Sequence, residues 1–279
     1  MTELGDETRL GQWQIFRRRP EGEAQRVLLL PGGFCTAMTF VDLVADPALA
    51  GIETWAANPP GFGANVAPEG FGFATTDYAE SIEKLAAEQG VDVLVGHSLS
   101  ANILIEVAAR GAFTGPIVLL DPCLRYRNEY RGVRLLRRME LIPPLAAWGY
   151  RSAAKNYRKT MAGLVPPGRL DLIVSDMEMT PPEQNRSVIG GYFDHLEKWG
   201  TLADRLADAT GEIHFVRGDA ESIGFDREDV EKVVAQDNII THTITNSDHM
   251  TMLDSPREVA ELVAQVTVAH VDAPDQPAG

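Results

Sequence analysis

A serine in a turn of small residues is the feature of this sequence best suited to chemistry. Residues 96–100 read Gly-His-Ser-Leu-Ser, with Ser98 at the centre and a small residue two positions away on each side. An apolar run, residues 91–95, comes before it, and a helix-like stretch, residues 99–110, follows. A serine in such a strand-to-helix turn has strained backbone angles that only small neighbours accommodate, and its hydroxyl lies beside a helix N-terminus, which favours negative charge. The pattern predicts that Ser98 is a nucleophile.

A histidine and one of two aspartates are the residues that could activate Ser98. A serine hydroxyl is a weak nucleophile unless a base takes its proton and a carboxylate orients that base. The predicted base is His249, in a loop between the last predicted strand and the last predicted helix. The preferred carboxylate is Asp219, which ends the preceding predicted strand, because the order serine, acid, histidine is expected with an elbow serine. Asp121, which ends an earlier strand, is the alternative acid. Asp121 could instead serve only to form a turn, because Pro122 follows it.

The elements that must position these residues alternate between strands and helices. Strands are predicted at residues 10–18 and 25–30, which a tight connection joins, and at 52–57, 91–95, 116–120, 213–216 and 239–244. Helices are predicted at residues 36–49, 75–89, 99–110, 226–235 and 256–270. This alternation predicts an α/β fold with a doubly wound, mostly parallel sheet, in which catalytic groups gather at the carboxyl ends of the strands.

The alternation stops in one long segment, residues 122–209. This segment is rich in Arg, Leu and Met and is broken by three Pro-Pro pairs. We predict that it is an inserted, mainly helical cap, and that residues 1–121 and 210–279 form the core. Residues 123–165 contain ten Lys or Arg against two Glu, although the whole chain has a net charge of −15. The cap is therefore basic, whereas the rest of the chain is strongly acidic.

Two groups of residues in this segment carry alternative interpretations. Four arginines recur at spacings of four, three and four, which would place their guanidinium groups on one helical face: Arg127, Arg131, Arg134 and Arg138. They could bind an anionic group, such as a carboxylate, a phosphopantetheine arm or an acidic partner, but we favour a solvated face that balances the acidic core. The aromatic residues could line an acyl pocket or pack the cap: Tyr126, Tyr130, Trp148, Tyr150 and Tyr157.

Composition argues against several classes of protein. The net charge of −15 opposes non-specific binding to nucleic acid or to an anionic membrane. No run approaches the roughly 18 apolar residues that cross a bilayer, and the first residues lack the order of a signal peptide. Two cysteines, Cys35 and Cys123, make neither a disulfide framework nor a metal cluster. We therefore expect a cytoplasmic protein with no nucleic-acid partner, no stable membrane insertion and no metal, and the sequence does not indicate an oligomeric state.

From residue 10 to residue 270, the sequence resembles the α/β-hydrolase fold superfamily. Besides the segment around Ser98, four motifs carry the resemblance: Pro31-Gly32-Gly33-Phe34, Pro60-Gly61-Phe62-Gly63, Gly218-Asp219 and Asp248-His249. The resemblance implies a catalytic triad of Ser98, His249 and Asp219. It also implies an oxyanion hole formed by the backbone N–H of Leu99 and that of Gly33 or Phe34.

The sequence departs from the superfamily pattern at three positions. Ser100 stands where a glycine is usual, and it is small enough for the turn. Pro31 replaces a histidine that is common at the start of the oxyanion loop. Asn58 replaces an aspartate that is frequent after the third strand and is usually structural. None of these departures removes a predicted catalytic side chain.

The expected activity is hydrolysis of a carboxylic ester through an acyl-enzyme on Ser98, with thioesters and lactones as close alternatives. The expected partner is a small acyl substrate, with or without an anionic group, and no cofactor is needed. Two alternatives belong to other classes. One is a cofactor-free lyase or synthase that uses the same residues as a base, and the other is a non-enzymatic ligand-binding protein that has the same fold.

Overall fold

The computed structural model describes residues 3–220 and 225–272, and a sheet of eight strands forms its centre. The strands are β1 (Asp6–Leu10), β2 (Trp13–Arg18), β3 (Arg26–Leu30), β4 (Glu53–Asn58), β5 (Val93–His97), β6 (Ile117–Leu120), β7 (Ile213–Gly218) and β8 (Ile239–Ile244). Their order across the sheet is β1-β2-β4-β3-β5-β6-β7-β8. Only the pairs β1–β2 and β2–β4 are antiparallel. The predicted mostly parallel α/β sheet is confirmed.

Helices cover both faces of this sheet. They are α1 (Val41–Ala45), α2 (Thr75–Gln89), α3 (Leu99–Arg110), α4 (Arg131–Met139), α5 (Pro143–Lys155), α6 (Tyr157–Met161), α7 (Leu170–Met177), α8 (Pro182–Trp199), α9 (Leu202–Leu206), α10 (Arg227–Val234), α11 (Thr251–Asp254) and α12 (Pro256–Asp272). In β3, Leu28 and Leu30 pack in the same cluster as α2 and α3, whereas Val27 and Leu29 pack with α1 and α12. A strand buried on both faces is apolar at every position, which explains its continuous hydrophobic sequence. None of the described helices is long and apolar enough to cross a membrane.

Two sequence predictions near the N-terminus are wrong in detail. The strand predicted at residues 10–18 begins later, at Trp13, because Gly11 turns the chain with φ 57°, and the residues before this turn form β1, which the sequence did not predict. The helix predicted at residues 36–49 is interrupted after α1, since Asp46 is extended before Pro47 (ψ 136°) and proline disfavours a helical residue before it.

The segment between β6 and β7 is helical in all its regular elements, which are a 3₁₀ turn (Tyr126–Asn128) and helices α4 to α9. We call it the helical insertion, with the predicted limits 122–209. Its helices pack mainly on one another, α5 on α8 and α4, and α6 on α7, while α9 packs on α3 of the core. Residues 1–2, 221–224 and 273–279 of the predicted core lie outside the described residues.

Candidate active site

Ser98 occupies a strained turn between β5 and α3. Its backbone angles are φ 50° and ψ −115°, a conformation that residues other than glycine rarely adopt. A Cβ atom on Gly96 would lie 2.8 Å from the backbone carbon of Ser100 and 2.9 Å from the backbone nitrogen of Ala101. Because both of these atoms belong to the backbone, only glycine fits at position 96. The turn holds the serine hydroxyl at the carboxyl end of the sheet, where His249 contacts it.

The His249 imidazole connects the Ser98 hydroxyl to a buried carboxylate. Its Nε2 atom lies 3.0 Å from Ser98 Oγ, and its Nδ1 atom lies 2.5 Å from Asp121 Oδ2. A carboxylate accepts hydrogen bonds, so we assign the imidazole proton to Nδ1, which leaves the Nε2 lone pair facing the serine hydroxyl. All three side chains are buried. Such an arrangement can remove a proton from Ser98 and stabilise the imidazolium that results.

The carboxylate that contacts His249 belongs to Asp121, not to the preferred candidate Asp219. Asp219 is exposed at the end of β7, where its Oδ1 accepts a hydrogen bond of 3.1 Å from the Ser247 backbone N–H. Backbone N–H groups of Asn246 and Ser247 lower the pKa of Asp219. The structure thus corrects the sequence assignment in favour of the alternative acid. The physical reason is that β6, which ends before Asp121, is the direct neighbour of β5, whereas β7 is one strand further away.

His97 packs behind the site, and its side chain makes a hydrogen bond to the backbone of His249. Its Nε2 donates to the His249 carbonyl oxygen at 2.9 Å, and the two rings are 4.7 Å apart. Burial lowers the pKa of His97 well below its usual value, so the ring stays neutral. A Cβ atom on Gly32 would lie only 2.7 Å from His97 Nδ1, so the loop after β3 approaches the serine turn closely. His97 therefore supports the backbone of His249 from behind the site.

The residues whose backbone N–H groups are predicted to form an oxyanion hole border the cavity above Ser98. Gly33, Phe34 and Leu99 line the same cavity as Ser98. Phe34 has φ 62°, a left-handed conformation, and Leu99 is the first residue of α3. The first N–H groups of a helix have no intrahelical partner, so they can bind negative charge. The chain turns around Ser98 in a way that could stabilise an oxyanion.

The three departures from the superfamily pattern have structural explanations. The Ser100 hydroxyl donates a hydrogen bond of 2.5 Å to the Pro31 carbonyl oxygen, so two of the unusual residues contact each other. This bond ties the serine turn to the loop that carries Gly33. The third, Asn58, is buried and accepts a hydrogen bond of 2.7 Å from the Ala37 backbone N–H. It anchors the segment after that loop.

A cavity of about 600 Å³ opens above Ser98 and His249. Its walls are mainly apolar, and the helical insertion contributes Val133, Leu136, Tyr157, Met161, Leu164, Met177 and Ile189. Glu129 also lines it, but this buried carboxylate accepts hydrogen bonds from the Tyr192 hydroxyl at 2.6 Å and the Tyr130 backbone N–H at 2.7 Å. A drug-sized apolar group fits a cavity of this size.

Tyr130 is a cavity residue that the sequence did not distinguish from other aromatic residues. Its ring lies 5.5 Å from that of His249 in an edge-to-face arrangement. Among the described residues, its buried hydroxyl has no hydrogen-bond partner. Burial, and then the nearby carboxylates of Asp248 and Asp121, raise the pKa of Tyr130, so the hydroxyl stays protonated. The Tyr130 ring therefore forms part of the cavity wall beside His249, and its hydroxyl is a neutral, buried donor.

The arginines predicted to share one helical face are divided by the structure. Arg127 lies in the 3₁₀ turn before α4, and its Nη2 is 2.5 Å from Asp226 Oδ2. Only Arg131, Arg134 and Arg138 belong to α4, because the chain is extended at Glu129 and Tyr130. The prediction is therefore wrong for Arg127. Of the four, Arg131 alone lines the cavity. Within the described part of the chain, no group of three His, Cys, Asp or Glu side chains could hold a metal ion.

Comparisons with known proteins agree with this architecture. Residues 27–262 match the model of the alpha/beta hydrolase family, while a search of curated proteins found no match. Among solved structures, an N-acyl homoserine lactonase is similar at 19% identity and a TM-score of 0.71, over 97% of this chain and 98% of that one. An E-2-(acetamidomethylene)succinate hydrolase is similar at 18% identity and a TM-score of 0.68, over 96% of this chain and 98% of that one. An ancestral haloalkane dehalogenase is similar at 14% identity and a TM-score of 0.71, over 96% of this chain and all of that one. At such identities, the similarity to solved structures shows the fold alone.

Proposed function

The chain belongs to the alpha/beta hydrolase family, and on that premise we propose that it is a serine hydrolase that cleaves carboxylic esters. The observation that carries the proposal is the continuous set of contacts from Asp121 through His249 to Ser98, at 2.5 and 3.0 Å. These contacts lie at the floor of a mainly apolar cavity, which suits the acyl group of an ester.

In the first half of the proposed reaction, Ser98 becomes acylated. His249 Nε2 takes the hydroxyl proton while Ser98 Oγ forms a bond to the ester carbonyl carbon, and the carbonyl electron pair moves onto its oxygen. The N–H groups of Leu99 and of Gly33 or Phe34 would hold this oxyanion, an interaction worth about 3 kcal/mol per donor in comparable enzymes. When the carbonyl re-forms, the bond to the leaving oxygen breaks, and that oxygen receives the proton from His249. Asp121 stabilises the imidazolium throughout.

In the second half, water releases the acyl group. His249 Nε2 takes a proton from water while the water oxygen attacks the acyl carbon. The resulting tetrahedral intermediate collapses with rupture of the bond to Ser98 Oγ, which regains the proton from His249. The products are a carboxylic acid and an alcohol, and the free enzyme is restored without a cofactor.

The nature of the nucleophile favours acyl transfer over halide displacement. If Ser98 displaced a halide from an alkyl carbon, the product would be an ether, which water activated by His249 does not hydrolyse readily. Attack on a carbonyl instead gives an ester, which the same base can hydrolyse. Dehalogenation, the activity named for one structural relative, is therefore not proposed for this chain.

Thioesters and lactones carry the same reactive carbonyl and remain alternative substrates. The lactonase among the structural relatives makes acyl lactones a useful part of a substrate panel. A lyase or synthase would use His249 as a base without forming an acyl-enzyme. Detection of an acyl group bound to Ser98 after reaction with an ester therefore distinguishes a hydrolase from a lyase or synthase.

Labelling with a fluorophosphonate probe tests the proposed nucleophile. We expect the folded wild type to be labelled once, on the peptide that contains Ser98, because the activated hydroxyl attacks phosphorus as it would a carbonyl. Ser98→Ala should not be labelled, and His249→Ala should be labelled far more slowly. Wild-type protein that is folded but unreactive would refute the proposed nucleophile.

We expect Tyr130→Phe to lower kcat/KM about fivefold for an ester that fills the cavity. The reason is that a small shift of the Tyr130 side chain on substrate binding would let its buried, unpartnered hydroxyl donate one hydrogen bond to a substrate oxygen, and such a bond contributes about 1 kcal/mol. The phenylalanine keeps the ring against His249. Steady-state kinetics and thermal unfolding check this prediction, with Tyr126→Phe as the control because Tyr126 lies outside the cavity. Equal effects of the two variants would contradict it.

A further inference from the structure

The hairpin formed by α4 and α5 carries an unusual concentration of exposed apolar side chains. Ten large hydrophobic residues are exposed in the described part of the chain, and half of them lie on this hairpin: Leu135, Leu141, Ile142, Leu145 and Trp148. We call these five residues the hairpin surface. Leu141 is 87% exposed and Trp148 is 61% exposed, and Pro143 and Pro144 between them are exposed as well. Scattered exposed hydrophobic residues are ordinary, but a cluster of this kind marks an interaction surface.

Basic residues accompany the hairpin surface on the same two helices. Arg131, Leu135 and Arg138 follow one another at spacings of four and three, so they lie on one face of α4. The opposite side of the hairpin is packed, because Leu136 and Met139 of α4 and Tyr150 of α5 are buried in the cluster that α8 also joins. Within the described residues, Arg131 and Arg138 form no ion pair, and neither do Arg151 and Lys155 of α5. No carboxylate in the described part of the chain therefore neutralises their charges.

The charge pattern favours an anionic, apolar partner over a second copy of this chain. A symmetric dimer through the hairpin surface would place these unpaired cations against one another. The net charge of −15 for the whole chain does not prevent contact with an anionic surface, because exposed charges further away than about 8–10 Å are screened at physiological ionic strength. Exposed Trp and Leu side chains next to Arg and Lys are the composition by which helices bind at membrane interfaces.

The same helix that carries part of the hairpin surface also borders the cavity. Arg131, Gly132, Val133 and Leu136 of α4 line the cavity, and the first two of them are exposed. A partner bound to the outer face of α4 would therefore lie beside the cavity entrance. An apolar molecule could pass from that partner to the cavity with little contact with water.

We propose that the hairpin surface binds reversibly to anionic lipid bilayers. Leu141, Ile142 and Trp148 enter the interface between headgroups and acyl chains, while Arg138 and Arg151 contact the lipid phosphates. The interaction is peripheral, since the described helices include none that could span the bilayer. It does not require ester hydrolysis, so the binding can be measured on inactive protein.

Vesicle flotation tests the proposal. Full-length Ser98→Ala protein is mixed with vesicles of phosphatidylcholine, or of phosphatidylcholine containing phosphatidylglycerol. We expect binding to the second vesicles only, weakened by added salt and reduced at least tenfold by Leu141→Ser combined with Trp148→Ala. Arg138→Glu should also reduce it, because it reverses a charge at the surface. The matched controls, Val66→Ser and Arg227→Glu, change exposed residues elsewhere and should bind as Ser98→Ala does.

Three outcomes would overturn the proposal. The first is no binding to vesicles that contain phosphatidylglycerol. The second is equal binding by the hairpin variants and by their controls. The third is a dimer, seen by analytical ultracentrifugation, that Leu141→Ser with Trp148→Ala dissociates, which would mean that a second copy covers the surface. Labelling of wild-type Ser98 by a fluorophosphonate is unaffected by any of these results, so failure of this proposal is distinguishable from failure of the proposed hydrolase activity.

Discussion

Ser98→Ala is expected to lower kcat for a carboxylic ester by about 10⁴–10⁶-fold, the range seen when serine nucleophiles of other hydrolases are removed. The reason is that Ser98 Oγ is the atom that His249 Nε2 contacts at 3.0 Å, and no acyl-enzyme forms without it. The thermal unfolding midpoint should stay close to that of the wild type, since alanine fits the same turn. Steady-state kinetics on a panel of esters, with circular dichroism to verify folding, measures both quantities.

Ser100→Ala is the matched control for this experiment. It removes a hydroxyl two residues away, whose partner is the Pro31 carbonyl oxygen and not His249. Losing one hydrogen bond that positions the oxyanion loop should cost about 1 kcal/mol, which is about a fivefold decrease in kcat. If Ser98→Ala retained as much activity as Ser100→Ala, Ser98 would not be the nucleophile.

The serine turn and the sheet could be predicted from sequence because both depend on local rules. A strand, a small residue, a serine and a helix follow one another within residues 93–110, and Gly96 is required by backbone atoms of the same turn. The parallel strands were recognisable from continuous apolar runs such as β3, which is buried on both faces. The contact of His249 with Ser98 also follows from such a rule, since both residues lie at carboxyl ends of strands.

The identity of the acid could not be predicted because it depends on which strands are neighbours in space. Asp121 and Asp219 both follow buried parallel strands, and their order in the sequence favours Asp219. The sheet places β6 beside β5, so Asp121 lies next to Ser98 across the sheet. Asp219 instead binds the loop that leads to His249, through the Ser247 N–H. No local pattern distinguishes these two uses of a carboxylate.

The helical insertion resisted prediction for a similar reason. The spacing of its arginines suggested one long helix, but Glu129 binds the N–H of Tyr130 and the hydroxyl of Tyr192 from α8, so the chain is extended before α4. This break has no glycine or proline to mark it. It also brings Tyr130 to His249, a contact that depends on a distant helix. Long-range contacts of this kind leave no signal in the local sequence.

Asp121→Asn is expected to lower kcat by about 10³–10⁴-fold, as the corresponding change does in other serine hydrolases. The Asp121 carboxylate accepts a hydrogen bond of 2.5 Å from the N–H at His249 Nδ1 and so keeps the lone pair on Nε2. An asparagine can present its NH₂ group instead, which favours a proton on Nε2 and leaves that atom unable to take the Ser98 proton. It also loses the negative charge that stabilises the imidazolium. Fluorophosphonate labelling should slow in parallel with kcat, because both depend on this proton transfer.

Asp219→Asn provides the matched control, since it makes the same chemical change at the end of the adjacent strand. The amide oxygen can still accept the hydrogen bond from the Ser247 N–H, so we expect kcat to change by no more than a few-fold. Both variants are to be measured for kcat/KM, labelling rate and thermal unfolding, which separates an effect on the imidazole from a loss of folded protein. A large loss of activity in folded Asp219→Asn, with Asp121→Asn near the wild type, would reverse the assignment of the acid. Equal and large losses in both variants, without a change in the thermal midpoint, would mean that the position of His249 depends on the Asp219 contact as much as on Asp121.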